Sequence, residues 1–120
     1  MQRVYEDTRK GTGFMNDGYS VVVSTCGDME SARRIARELV DLRIAACVQI
    51  FPIESVYAWQ GEVCEESEVA LFIKSKAELF DRVSQAIRER HPYEIPEIIQ
   101  LQITDGLPDY LQWIESWVRE

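Results

Sequence analysis

Between Tyr19 and Ile103 the chain carries two strand–helix–strand units in succession, an order that leaves few ways to fold. Tyr19 to Thr25 is short, β-branched and aromatic, and Cys26, Gly27 and Asp28 follow with turn chemistry, which predicts a first strand. Asp28 caps a helix predicted from about Met29 to Leu42, because Ala32, Ile35, Ala36, Leu39 and Val40 recur at helical spacing. Ala45 to Trp59 reads as a second strand interrupted at Pro52, which cannot donate to a ladder and so belongs at an edge or bulge, Gln60-Gly61 as a tight turn, and Glu62 to Lys74 as the returning strand of a hairpin. Ser75 to Glu78 has the form of a capping box. It opens a second helix on Leu79, Phe80, Val83, Ala86 and Ile87, which must stop near Arg90, ahead of Pro92. Ile98 to Ile103 alternates as a fourth strand with Ile99, Leu101 and Ile103 on one face, and Pro108 starts an aromatic-rich C-terminal helix.

Right-handed crossovers fold such a chain into one four-stranded antiparallel sheet with both main helices on one face. The expected architecture is α+β, a ferredoxin-like β-α-β-β-α-β domain with a C-terminal helix over residues 19–120. Residues 1–18 contain Gly11, Gly13, Gly18 and scattered charges without periodicity. They are expected to form a flexible tail, with Met15 as an alternative start.

The hairpin arms are longer than their neighbours. At about 3.3 Å per residue they outrun the first and fourth strands by roughly 20 Å. An isolated ribbon is marginal in water, and an edge bearing Val56, Tyr57, Trp59 and Val63 invites pairing with another chain. Hairpins are therefore expected to dock on neighbouring copies, with three copies closing into a ring and Trp113 and Trp117 as further interface residues. The competing reading ends the second strand at Pro52 and makes Glu65 to Glu68 a loop, which gives short strands and a monomer.

Composition narrows the function classes. With 13 Lys+Arg against 21 Asp+Glu the formal charge is −8, which argues against nucleic-acid and anionic-membrane partners. Cys26, Cys47 and Cys64 form neither a CxxC pair nor a disulfide framework, so a reducing, cytoplasmic setting is expected. No glycine-rich phosphate loop, nucleophile elbow or kinase signature occurs, and no orienting group accompanies a Cys-His pair, so no enzymatic activity is expected.

Five segments follow one another in a familiar order. They are Val21-Val22-Val23-Ser24-Thr25, Leu42-Arg43-Ile44-Ala45-Ala46-Cys47-Val48, Ser55-Val56-Tyr57-Ala58-Trp59-Gln60-Gly61, Leu71-Phe72-Ile73-Lys74 and His91-Pro92-Tyr93-Glu94-Ile95-Pro96-Glu97. From about Ser20 to Trp117 the chain resembles the CutA-type divalent-cation tolerance proteins. The resemblance implies a ferredoxin-like fold, a tight homotrimer similar in architecture to the PII signalling proteins, and a role in tolerance of copper and other divalent metals. It implies no settled reaction and no obligatory cofactor, copper or another divalent metal being the candidate.

The resemblance also implies copper ligands from a Cys at the end of the first strand and from His residues before the Pro. Here Thr25 stands at that Cys position, Cys26 comes one residue later, and Arg90 replaces a second His. A one-residue shift turns a strand side chain to the other face. The candidate metal ligands are thus His91 and Cys26, short of the three or four N or S donors that Zn or Cu requires.

Pro92 and Pro96 stiffen the turn carrying Tyr93 and Glu94, as a cleft wall requires. By the resemblance, Trp59 and Lys74 line the same cleft between subunits, with Cys47 and His91 as further cleft candidates. A lysine there suits a small anionic ligand, which gives the alternative reading of a PII-like signalling trimer. Structural readings stand beside these: His91 as a helix end, Cys47 as a buried small hydrophobe, the tryptophans as interface packing, and Glu65, Glu66 and Glu68 as a solvated edge.

Overall fold

The computed structural model describes residues 18–119. Its elements are β1 (Tyr19–Cys26), α1 (Met29–Asp41), β2 (Cys47–Trp59), β3 (Glu62–Lys76), α2 (Phe80–Arg90), β4 (Ile98–Ile103) and α3 (Pro108–Trp117). The sheet order is β2-β3-β1-β4 with antiparallel pairing throughout, the ferredoxin-like arrangement expected from the order of periodicities. The segment expected as a tail, residues 1–18, lies outside the described residues except for Gly18, whose carbonyl accepts a hydrogen bond from the Ala77 amide at 2.9 Å.

Strand alternation sorts the sheet into two faces. Val22, Leu71 and Ile73 are fully buried against Ile35 and Leu39 of α1 and Val83 and Ile87 of α2. Asp28 holds the start of α1 by accepting the Ser31 amide at 2.7 Å. The last helix, α3, crosses the opposite face at its Tyr19 end. There Glu115 accepts hydrogen bonds from Lys76 at 3.0 Å and from the Tyr19 hydroxyl at 3.1 Å. Beyond α3 no described element covers that face: Phe51, Ile99 and Leu101 are 38%, 47% and 51% exposed, with Val21, Val23 and Phe72 half-buried among them.

The second strand runs unbroken through Pro52, which pairs with Val69 and lies on an edge strand, one of the two places that its missing N–H allows. One local expectation is corrected. Ser75 does not open a capping box. It lies in β3 opposite Ser20, and its buried hydroxyl donates to the Ile44 carbonyl at 2.6 Å, while a 3₁₀ turn over Ala77–Leu79 leads into α2. The hairpin closes on Gln60 and Gly61, both at positive φ (51° and 81°), the mirror-image turn that matches strand twist.

The strand lengths are as unequal as the sequence suggests. β2 and β3 have 13 and 15 residues, β1 and β4 have 8 and 6. β3 pairs with β1 only from Val69 to Lys76, so residues 62–68 have β2 as their one strand partner among the described residues.

The Ser24 hydroxyl is buried on the helix-covered face without a hydrogen bond among the described residues. Ser24→Ala removes a desolvated polar group at little change of shape. It is expected to leave stability unchanged or to raise it by about 1 kcal/mol, read as a melting-temperature shift; a loss of that size would mean the hydroxyl is paired.

Candidate functional site

The site grows from the end of α2. Pro92 stops the helix, and His91 is extended at φ −94°, ψ 133°. Its Nε2 hydrogen donates to the Thr25 carbonyl at 2.5 Å, and its Nδ1 accepts the Tyr93 amide at 3.1 Å. These two bonds define the neutral Nε2–H tautomer and occupy both ring nitrogens, so no imidazole lone pair faces a metal. The imidazole also packs edge-on against Tyr93, centroids 4.5 Å apart. His91 thus ties the proline-braced turn to β1 and sets the direction of Tyr93.

Tyr93 reaches across to the hairpin and donates its hydroxyl to Glu68 at 3.1 Å. Burial first, and then the bond to Glu68, push its phenol up to about 12. Tyr57 is pushed up to about 12 as well, chiefly by hydrogen bonding to Glu66. Between the turn and the distal ribbon lies a cavity of about 670 Å³. Tyr57, Trp59 and Tyr93 supply aromatic walls, and Glu54, Glu68, Glu94 and Glu97 supply four carboxyl groups, with no Lys or Arg in the lining.

Three of the expected cleft residues, Trp59, Tyr93 and Glu94, meet at this cavity, and His91 supports it from behind. Cys47 and Lys74 do not. They face each other at the base of the hairpin, where Lys74 Nζ lies 3.4 Å from the Tyr110 hydroxyl. The 13 residues of β2 separate Cys47 from Trp59, about 40 Å at 3.3 Å per residue. Cys47 is half-buried, less enclosed than a core hydrophobe.

Cys26 and His91 do not assemble into a metal pair. Cys26 is 1% exposed within the helix-side core, where burial pushes its thiol up to about 11, far from the thiolate a metal needs. Among the described residues no group of three or more His, Cys, Asp or Glu side chains is placed to hold a metal ion. Of the expected interface residues, Val56, Tyr57, Trp59, Val63 and Trp113 are exposed at 68%, 37%, 39%, 76% and 46%. Trp117 instead packs within its own chain: its indole N–H donates to the Val40 carbonyl at 2.9 Å, and Arg43 stacks 3.8 Å from the ring.

Thr25, Glu54, Glu68 and Glu97 also line the cavity, beside Ser55, Val56 and Ile95, and the sequence reading names none of those four as a cleft residue. Glu68 is half-buried and bound to Tyr93, so it is not part of a solvated edge. Its one sequence signal is the apolar run from Val69 that follows it.

These features define a ferredoxin-like α+β protein whose ribbon and proline-braced turn enclose an acidic, aromatic cleft. Known proteins share that architecture. The family described as CutA1 divalent ion tolerance protein matches residues 20–117, and the chain belongs to that family. The Thermus thermophilus divalent-cation tolerance protein CutA is 43% identical over 97 residues, 80% of this chain and 94% of the relative. Protein CutA of Mus musculus is 39% identical over 107 residues, 88% of this chain but 60% of the relative, so the chain spans about 60% of that protein's length. The solved structure of the Archaeoglobus fulgidus protein, titled a periplasmic divalent cation tolerance protein, superposes at a TM-score of 0.83 with 35% identity over 84% of this chain and 99% of that one.

The compartment differs among relatives, since Arabidopsis and rice proteins are named chloroplastic. Among the described residues no helix is long and apolar enough to cross a membrane.

Proposed function

We propose that the chain is a homotrimeric, non-catalytic divalent-cation tolerance protein of the cytoplasm that associates weakly with copper or another divalent metal at its acidic clefts. The observation that supports this reading is the acidic lining of the cavity: Glu54, Glu68, Glu94 and Glu97 border it with no Lys or Arg, spread too widely for three of them to chelate one ion, so the association is weak and through the local negative potential. Self-assembly is supported by the apolar sheet face beyond α3 and by the ribbon from residue 62 to 68, whose second edge pairs with no strand among the described residues. An anionic ligand, as in a PII-like module, fits less well: Lys74 stands at the far end of its own hairpin, and only a neighbouring copy could bring one to the cleft.

Calorimetric titration with Cu²⁺ or Mg²⁺ tests the metal part. Carboxylates without a shaped loop are expected to bind with a dissociation constant on the order of 10⁻⁴ to 10⁻³ M. The Glu68→Gln/Glu97→Gln double variant is expected to abolish the saturable heat, and Cys26→Ser to leave it unchanged. Retention of binding in the double variant removes the cleft as the site.

A further inference from the structure

We infer that α3 is a flap that opens and closes on the sheet as one unit, hinged at residues 105–107 and held shut at its far end by a latch centred on Arg43. The Arg43 backbone stands at φ 62°, in the left-handed region that favours glycine. It follows the end of α1, where the Arg43 amide donates to the Val40 carbonyl at 3.0 Å and the Ile44 amide to the Leu39 carbonyl at 3.2 Å. That pair of bonds is the helix-ending motif in which glycine ordinarily takes the left-handed place. An arginine persists there only where its surroundings hold it, and the C-terminal segment does so.

Arg43 Nε donates to the Trp117 carbonyl at 3.0 Å, its guanidinium stacks 3.8 Å from the indole centroid, and its own carbonyl accepts the Arg119 amide at 2.7 Å. The Trp117 indole N–H in turn donates to the Val40 carbonyl at 2.9 Å. On α2, Arg82 donates to the Arg119 carbonyl at 3.2 Å. Arg119 Nη1 donates to the Ser116 and Val118 carbonyls at 3.2 and 2.9 Å. Guanidinium groups thus satisfy the negative end of a helix that has no basic residue in its own last turn.

The rest of α3 is lightly held. Ile114 is its one buried residue, whereas α1 buries Ala32, Ile35, Ala36 and Leu39. With Ala46, Leu79 and Val118 it forms a small cluster separate from the main core. Ahead of the helix, Asp105 accepts the Gly106 amide and the Leu107 carbonyl accepts the Tyr110 and Leu111 amides at 3.0 and 3.1 Å. Among the described residues 105–107 make no hydrogen bond to the sheet, as a hinge requires. The bonds that seat α3 are therefore concentrated at Glu115 and at the latch, with little apolar burial to oppose opening. Opening uncovers Ala46 and Leu79 and extends the apolar sheet face.

Amide hydrogen exchange on the full chain at one fixed concentration, with the assembly state checked by sedimentation, tests the inference. In the unsubstituted protein, amides 111–118 are expected to exchange roughly tenfold or more faster than those of β1 and β3. Arg43→Gly keeps the turn, because glycine suits its φ, and removes the latch. It is expected to speed amides 111–118 by roughly another tenfold, while β1 and β3 stay within about threefold. Trp117→Phe leaves the turn untouched and removes only the N–H to Val40. A smaller acceleration confined to the same amides is expected, and this variant decides the matter if Arg43→Gly does not fold. Four results overturn the inference: amides 111–118 that exchange no faster than β1 and β3; rates indifferent to both substitutions, which makes Arg43 a turn residue only; equal acceleration of helix and sheet; or acceleration that appears only with a change of assembly state.

Discussion

Leu101→Lys is expected to sediment as a single 13.9 kDa chain at concentrations where the unmodified protein assembles. Leu101 lies on edge strand β4, opposite Val21, and is 51% exposed on the face that α1 and α2 leave uncovered. In one chain the lysine stays in water and costs little. Under a neighbouring copy it places an unpaired ammonium among Ile99, Val21 and Val23, a cost of several kcal/mol. Each contact is then weakened by roughly 100-fold or more, and a closed ring compounds the loss. Gln102→Lys is the control: Gln102 pairs with Ser20, so its side chain projects to the other face, and assembly is expected to persist. Sedimentation velocity separates the cases. A wild-type protein that already runs as one chain, or a Leu101→Lys variant that assembles normally, removes the sheet face as an interface.

Much of the fold was legible because it rests on local periodicity. The stripe of Ala32, Ile35, Ala36 and Leu39 is the buried stripe of α1, and Gln60-Gly61 is the hairpin turn. What stayed open and what was misread have a common physical cause, since each concerns a property that only distant parts of the chain decide. Pro52 calls for an edge or a bulge, and which of the two holds follows from the sheet order. Ser75 and Glu78 have capping-box spacing, but the Ile44 carbonyl, 31 residues away, claims the Ser75 hydroxyl and keeps it in β3.

The site divides in the same way. Tyr93 and Glu94 were readable because two prolines fix their turn locally. Glu68 was not, because its partner Tyr93 stands 25 positions away and nothing in the run Glu65-Glu66-Ser67-Glu68 singles it out. Cys26 stands one residue beyond the ligand position that the resemblance implies, and the parity of β1 directs it into the core and leaves Thr25 toward the cavity.

Neighbouring residues Leu71 and Phe72 give the sharpest separation of folding from assembly. Leu71 is fully buried on the helix-covered face, packed with the α1 and α2 stripes. Phe72 projects to the other face and meets Phe51 edge-on at 5.0 Å, only half-buried. Leu71→Ala leaves a cavity that a close-packed interior cannot refill, an expected loss of about 2–5 kcal/mol from a domain whose whole stability is about 5–15 kcal/mol. Phe72→Ala removes an aromatic contact open to water in the single chain, an expected loss of about 1 kcal/mol there. Its larger effect falls on association, where the ring lies among Phe51, Val23 and Gln49 on the face a second copy would cover. Denaturant unfolding in the Leu101→Lys background, at one fixed protein concentration, reads the first quantity without the second. Sedimentation of each single variant reads the second. If Phe72→Ala costs the lone chain as much as Leu71→Ala, both faces of the sheet are equally buried, and the uncovered face described above does not exist in solution.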